Sequence, residues 1–218
     1  MGELFLSPEL SCEIREIYET MERSYEEVAT QLPLTCQGCP DNCCDSFFQH
    51  YTYSEWAYLW EGLRKLDDAL LDKIIKRAKR YVAESEQLLR QGIRPQLQCP
   101  LLEEGLCSLY RHRLMICRTH GVPATLIRPD GQHLRFPGCF RCQEIVVDKY
   151  SSETDAPAMD RTVLYRRLVQ LETRMLGTIR HLYPKVKLTI AEMIVNGPPQ
   201  EVKSCLQMHK EGYHESGT

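Results

Sequence analysis

Nine of the eleven cysteines in this 218-residue chain fall into a pattern that an ordinary hydrophobic core would not produce. Cys36-Gln-Gly-Cys39-Pro-Asp-Asn-Cys43-Cys44 sets four thiols within nine residues. Two thiolates separated by two residues can turn back onto one metal, and Gly38 and Pro40 favour the tight loop this needs. Cys99, Cys107 and Cys117 follow, and Cys139-Phe-Arg-Cys142 adds a second C-x-x-C. At about 5% of the chain, cysteine stays below the roughly 8–10% of a disulfide scaffold. Met1 to Pro8 shows neither a basic n-region nor an apolar h-region, so reduced thiols in a cytoplasmic protein are the expectation. Clustered cysteines in that setting point to metal binding or redox chemistry.

Nine thiols exceed one four-ligand site. Two metal centres, one polynuclear centre, or a single centre with spare or redox-active thiols would each account for them. Cys12, on the first helix, and Cys205, near the tail, stand alone and read as small hydrophobes. His50 and His120 lie near cysteines in sequence and are candidate ligands, although hydrogen-bonding histidines are commoner.

The rest of the composition narrows the partners. Lysine plus arginine is 27 against 30 for aspartate plus glutamate, a net charge of −3, and this gives no global basic field for nucleic acid. No apolar run approaches the 18 or so residues of a membrane span. Leu6 breaks the myristoylation pattern, and Glu215-Ser216-Gly217-Thr218 offers no prenylation cysteine. Another protein is the partner class left to expect.

Hydrophobic periodicity predicts a mainly α fold, a single helical domain around a cysteine-rich loop and small β-hairpins holding a metal centre. Ser7-Pro8 reads as an N-cap with proline at N1, and Ile14, Tyr18, Met21, Tyr25, Val28 and Leu32 recur at helical spacing up to Pro33. This N-terminal helix fills residues 1–35. Residues 36–150 form the cysteine-cluster core, with inserted helices over 54–66 and 67–91. The second of these is expected to bury Leu71, Ile75, Ala78, Val82 and Leu89, leaving Lys73, Lys76, Arg77 and Arg80 on a solvated face. Glu103-Glu104-Gly105 is the expected turn of a hairpin bringing Cys99 and Cys107 to its two sides, and Pro129-Asp130-Gly131 that of a second between 124–128 and 133–136. Ser151 to Pro157 reads as a linker within the C-terminal part, 151–218. Leu164, Leu168, Leu171, Met175, Ile179 and Leu182 then stripe a long helix, and Thr189 with Glu192 suggests a capping box. Residues 1–35 carry eight glutamates against two arginines, whereas 157–187 carry seven basic residues against two acidic, so the two terminal helices are expected to pack together.

CQGCPDNCC followed by CPLLEEGLCSLYRHRLMICR resembles the family named for its CxxCxxCC motif, described as zinc- or iron-chelating domains. The likeness runs from Cys36 to Arg118 and extends toward Cys142. Phe47-Phe48 and Ser54-Glu55 are similar to the extended stretch and glutamate-bearing helix that follow the first cluster in that family. Cys99-Pro100, Leu102, Cys107, Tyr110, Arg113 and Cys117-Arg118 are similar to its later motif. Two departures stand out: three residues rather than two separate Cys39 from Cys43, and Leu114 stands where the family has proline. The family includes a flagellin lysine methyltransferase with an iron–sulfur cluster, so a methyl transfer is an implied activity. The sequence itself has no glycine-rich nucleotide loop to support it.

Soft thiolates select zinc or iron–sulfur clusters. A zinc ribbon would pair Cys36/Cys39 with Cys139/Cys142, but 99 residues lie between them, and Cys43 and Cys44 are awkward neighbours for one tetrahedral ion. An iron–sulfur cluster is therefore the expected cofactor, with zinc the alternative. A redox, sensing or cluster-dependent role follows from the first and a structural interaction protein from the second. Tyr110, Arg113 and Arg118 are expected to hydrogen-bond the cluster sulfurs and balance its charge.

Overall fold

The computed structural model describes residues 2–37 and 43–202. It is mainly helical with two small sheets. Helix α1 spans Pro8–Gln31, and the Ser7 hydroxyl accepts the Leu10 N–H at 3.2 Å, as the Ser-Pro start predicts. Its buried face carries Ile14, Ile17, Tyr18, Met21 and Val28. Helix α2 is Tyr53–Leu63 and α3 is Asp68–Arg90, capped by Asp67 through the Leu70 N–H at 2.9 Å.

The buried face of α3 is centred on Ile74, Ala78, Tyr81 and Ser85, with Leu71, Ile75 and Val82 at its edges and Leu89 49% exposed. The helix is thus rotated from the expected stripe, because the small Ser85 and the amphipathic Tyr81 fit against the core and leave Leu89 outside. Two of the four basic residues on the far side are also engaged. Lys73 and Arg77 both bind the Glu103 carboxylate, and Arg77 donates to the Leu102 carbonyl at 3.1 Å.

The first hairpin pairs β1 (Leu102–Glu103) with β2 (Leu106–Cys107), Leu102 opposite Cys107, around Glu104 and Gly105 at positive φ. A short helix α4 (Met115–Thr119) leads into β3 (Ala124–Ile127), which pairs antiparallel with β4 (His133–Phe136). After α5 (Phe140–Lys149), the segment read as a linker ends in β5 (Met159–Asp160), parallel to β3. Helix α6 is Thr162–Leu176. The expected long helix ends there, because Gly177 takes φ 58 and ψ −148, and 177–182 continue as a 3-10 turn with Leu182 exposed. Helix α7 (Ile190–Val195) opens with the Thr189/Glu192 capping box.

Helices α1 and α6 pack together, and Glu13 and Glu16 of α1 pair with Arg174 and Arg167 of α6. These pairs are half-exposed and contribute little; the shared burial of Ile14, Ile17, Leu164, Leu168 and Leu171 holds the helices together. From α6 the buried Glu172 reaches the start of α2, where its carboxylate accepts the N–H groups of Tyr53 (2.9 Å) and Ser54 (2.7 Å). The indoles of Trp56 and Trp60 in turn donate to the Met193 carbonyl at the end of α7. Helix α2 is thereby fixed at one end to α6 and along its side to α7, and α7 packs on α3. Among the described residues no helix is long and apolar enough to cross a membrane.

Candidate metal centre

Between these elements lies a cavity of about 200 Å³, and five of the cysteines line it: Cys43, Cys44, Cys99, Cys107 and Cys117. They arrive from four separate stretches of chain. Cys43 and Cys44 sit on a 3-10 turn (Cys43–Asp45), Cys99 precedes the first hairpin, Cys107 ends β2 and Cys117 is in the middle of α4. The main chain ties the first two stretches together through the Cys99 N–H and the Cys44 carbonyl at 2.7 Å. Leu59, Tyr81, Leu101, Leu102 and Ile190 supply apolar parts of the remaining wall.

The thiols feel one another. Burial pushes Cys99 far above the usual thiol range, against the Leu101 N–H, and the nearby Cys117, Cys107 and Cys43 add to the rise. Burial likewise pushes Cys117 up to about 12, with Cys107 adding and Arg113 opposing. Cys107 is raised by burial too, against the Leu109 N–H and the charges of Arg113 and Arg118. Cys44 goes the other way, because a hydrogen bond from Cys43 favours its thiolate. The vicinal side chains therefore do not diverge as in a strand; the tight turn keeps them in contact.

The arginines differ in role. Arg118 is buried, donating from Nε to the Arg113 carbonyl (2.7 Å), from Nη2 to the Arg111 carbonyl (2.7 Å) and from Nη1 to Glu22 of α1. It fixes the chain before α4. Arg113 lies on the cavity wall with its guanidinium 3.7 Å from the centre of the exposed Tyr110 ring, and also binds Glu22 at 3.1 Å.

Cys36, Cys139 and Cys142 do not line the cavity. Cys36 and Cys139 lie near Tyr25 of α1, whose hydroxyl is pushed up first by burial, then by both thiols, with the cavity's Cys43 adding to the rise. The fold thus brings cysteines from the first and second C-x-x-C pairs to one side chain despite the 102 residues between them. Cys142 is fully buried in the core on α5, pushed up to about 11 by burial and by Cys139. Cys39 and Cys205 lie outside the described residues, and Cys12 is exposed on α1.

Sequence reasoning reached Glu55 only through the family resemblance, without a role at the cavity, and weighed His50 only by its nearness to cysteines. His50, His112 and His120 all line the cavity. Thr52-Tyr-Ser-Glu55 is also a capping-box pattern, which marks the start of α2 and picks out Glu55 independently of that resemblance. Among the described residues, no three His, Cys, Asp or Glu side chains stand close enough to hold a single metal ion between them. Compared with known proteins, the chain gives no significant match to a family model, a curated protein or a solved structure.

Proposed function

We propose that this chain is a metal-binding cysteine-cluster protein whose cavity takes an iron–sulfur cluster, with a redox, sensing or other cluster-dependent role. One observation carries the reading: five cysteines from four stretches of chain line one largely apolar cavity. The donor set suits the group, since soft thiolates are the ligands of iron–sulfur clusters as they are of structural zinc. Cys99, Cys107 and Cys117 would hold it together with Cys43 or Cys44.

When bound, such a group supplies one-electron chemistry. The chain's own residues set its surroundings. Arg113 and Arg118 offset the negative charge of the thiolates, Leu59, Leu101 and Ile190 exclude water, and the Glu22–Arg118 linkage holds the segment that carries Cys117. Because Cys99 and Cys117 are held protonated by burial, metal binding must release their protons and strengthens as pH rises. Visible absorption and acid-labile sulfide in protein purified without oxygen test the reading. A colourless protein with stoichiometric zinc and no sulfide would replace it with a structural zinc site.

A further inference from the structure

His50 is 2% exposed, lines the cysteine cavity, and has its main chain locked by reciprocal pairing with Leu188 (2.7 and 3.1 Å). Its Nδ1 lies 3.6 Å from Glu55 Oε1. Its Nε2 is also buried and has no hydrogen-bond partner among the described residues. A neutral imidazole has one N–H and one lone pair. With a carboxylate beside Nδ1, the proton belongs on that nitrogen, and Nε2 keeps the lone pair. A buried polar atom left unpaired is costly, so an occupant of the cavity is the natural partner for Nε2.

Glu55 is held as firmly. Fully buried on α2, it accepts the Met115 N–H at 3.0 Å, the Thr52 hydroxyl at 2.9 Å and the Tyr18 hydroxyl at 3.4 Å. Met115 opens the helix that carries Cys117, so one carboxylate fixes both the imidazole and a thiol-bearing wall. A histidine oriented by a carboxylate on one nitrogen, with the other free to ligate, is a recurrent metal-site arrangement.

We infer that His50 supplies a nitrogen ligand, through Nε2, to the metal group of the cavity, and that Glu55 is its positioning residue. The inference rests on the iron–sulfur reading above. Imidazole in place of a thiolate raises a cluster's reduction potential.

The test uses the full chain, reconstituted anaerobically with iron and sulfide, reduced with dithionite and examined by pulsed electron paramagnetic resonance. Protein grown on 15N-histidine is expected to show a directly bonded nitrogen coupling. That coupling should vanish in His50→Cys, which keeps iron and sulfide and has a lower potential, and persist in His120→Ala. In Glu55→Gln the coupling should change in size as the imidazole loses its orienting carboxylate. Full iron and sulfide without a histidine coupling, or a coupling that survives His50→Cys, would overturn the assignment while sparing the cluster. Absence of iron and sulfide from the wild-type chain would instead remove the cluster reading and this inference with it.

Discussion

The hydroxyl of Tyr25 occupies the space in which a β-carbon on Gly121 would stand. Gly121 has φ 128, and its carbonyl accepts the Cys139 N–H at 3.0 Å, so α1, the turn before β3 and the start of α5 meet at one point. Gly121→Ala is therefore expected to destabilise the fold by about 2–4 kcal/mol, from backbone strain plus displacement of Tyr25. Urea denaturation checks this; a variant within about 0.5 kcal/mol of wild type would contradict the packing described.

Arg118 spends all three arms of its guanidinium on different partners. Lysine has the charge but not the fork, so Arg118→Lys is expected to cost about 2–4 kcal/mol, nearly as much as Arg118→Ala. Denaturation midpoints of the two variants decide it: a lysine variant as stable as wild type would show that charge alone suffices.

Local features of the sequence translated directly into structure. Ser7, Asp67 and Thr189 cap the helices they precede because capping depends on residues three apart. Glu104-Gly105 and Asp130-Gly131 turn the hairpins for the same local reason. What escaped was non-local. Met159 pairs with Ala124 across 35 positions, which no pattern in 151–157 announces. The break at Gly177 was hidden by apolar spacing that continues through Ile179 and Leu182. In the candidate site, Cys99, Cys107 and Cys117 were legible from their type, and the fold gathers them on one cavity. The separation of Cys36 and Cys139 from that cavity, and the pairing of His50 with Glu55, depend on the tertiary path of α1 and α2.

The cavity thiols should behave differently from the others. Serine at Cys99, Cys107 or Cys117 is expected to lower metal content sharply and to destabilise the fold, since ligand binding energy is also folding energy. Serine at Cys12 should leave metal content unchanged. Cys36 and Cys139 lie about Tyr25 rather than on the cavity wall, so serine there should remove less metal. Equal losses at Cys12 and Cys117, measured by elemental analysis, would refute this ordering.

Acid stability carries a sign that follows from Glu61. Burial alone would push its carboxyl up, but hydrogen bonds from Ser11 and Lys65, with the charge of Lys65, bring it below the usual value. A depressed native pKa gives stability that is present above the unfolded value of about 4.3 and is lost as pH falls through the native one. Ser11→Ala should thus be less stable than wild type at pH 7 by about 1 kcal/mol. The gap should narrow below about pH 4. Denaturation curves at neutral and acid pH check it, and a gap that stays constant would contradict the assignment.

The most direct measurement is iron and acid-labile sulfide per chain in anaerobically purified wild type, Cys99→Ser and Cys117→Ser, each confirmed folded by circular dichroism. Iron and sulfide are expected in matching, stoichiometric amounts in the wild type, with a marked loss of both in either variant. Wild-type protein without sulfide, or variants that retain the full complement of iron and sulfide, would contradict this expectation.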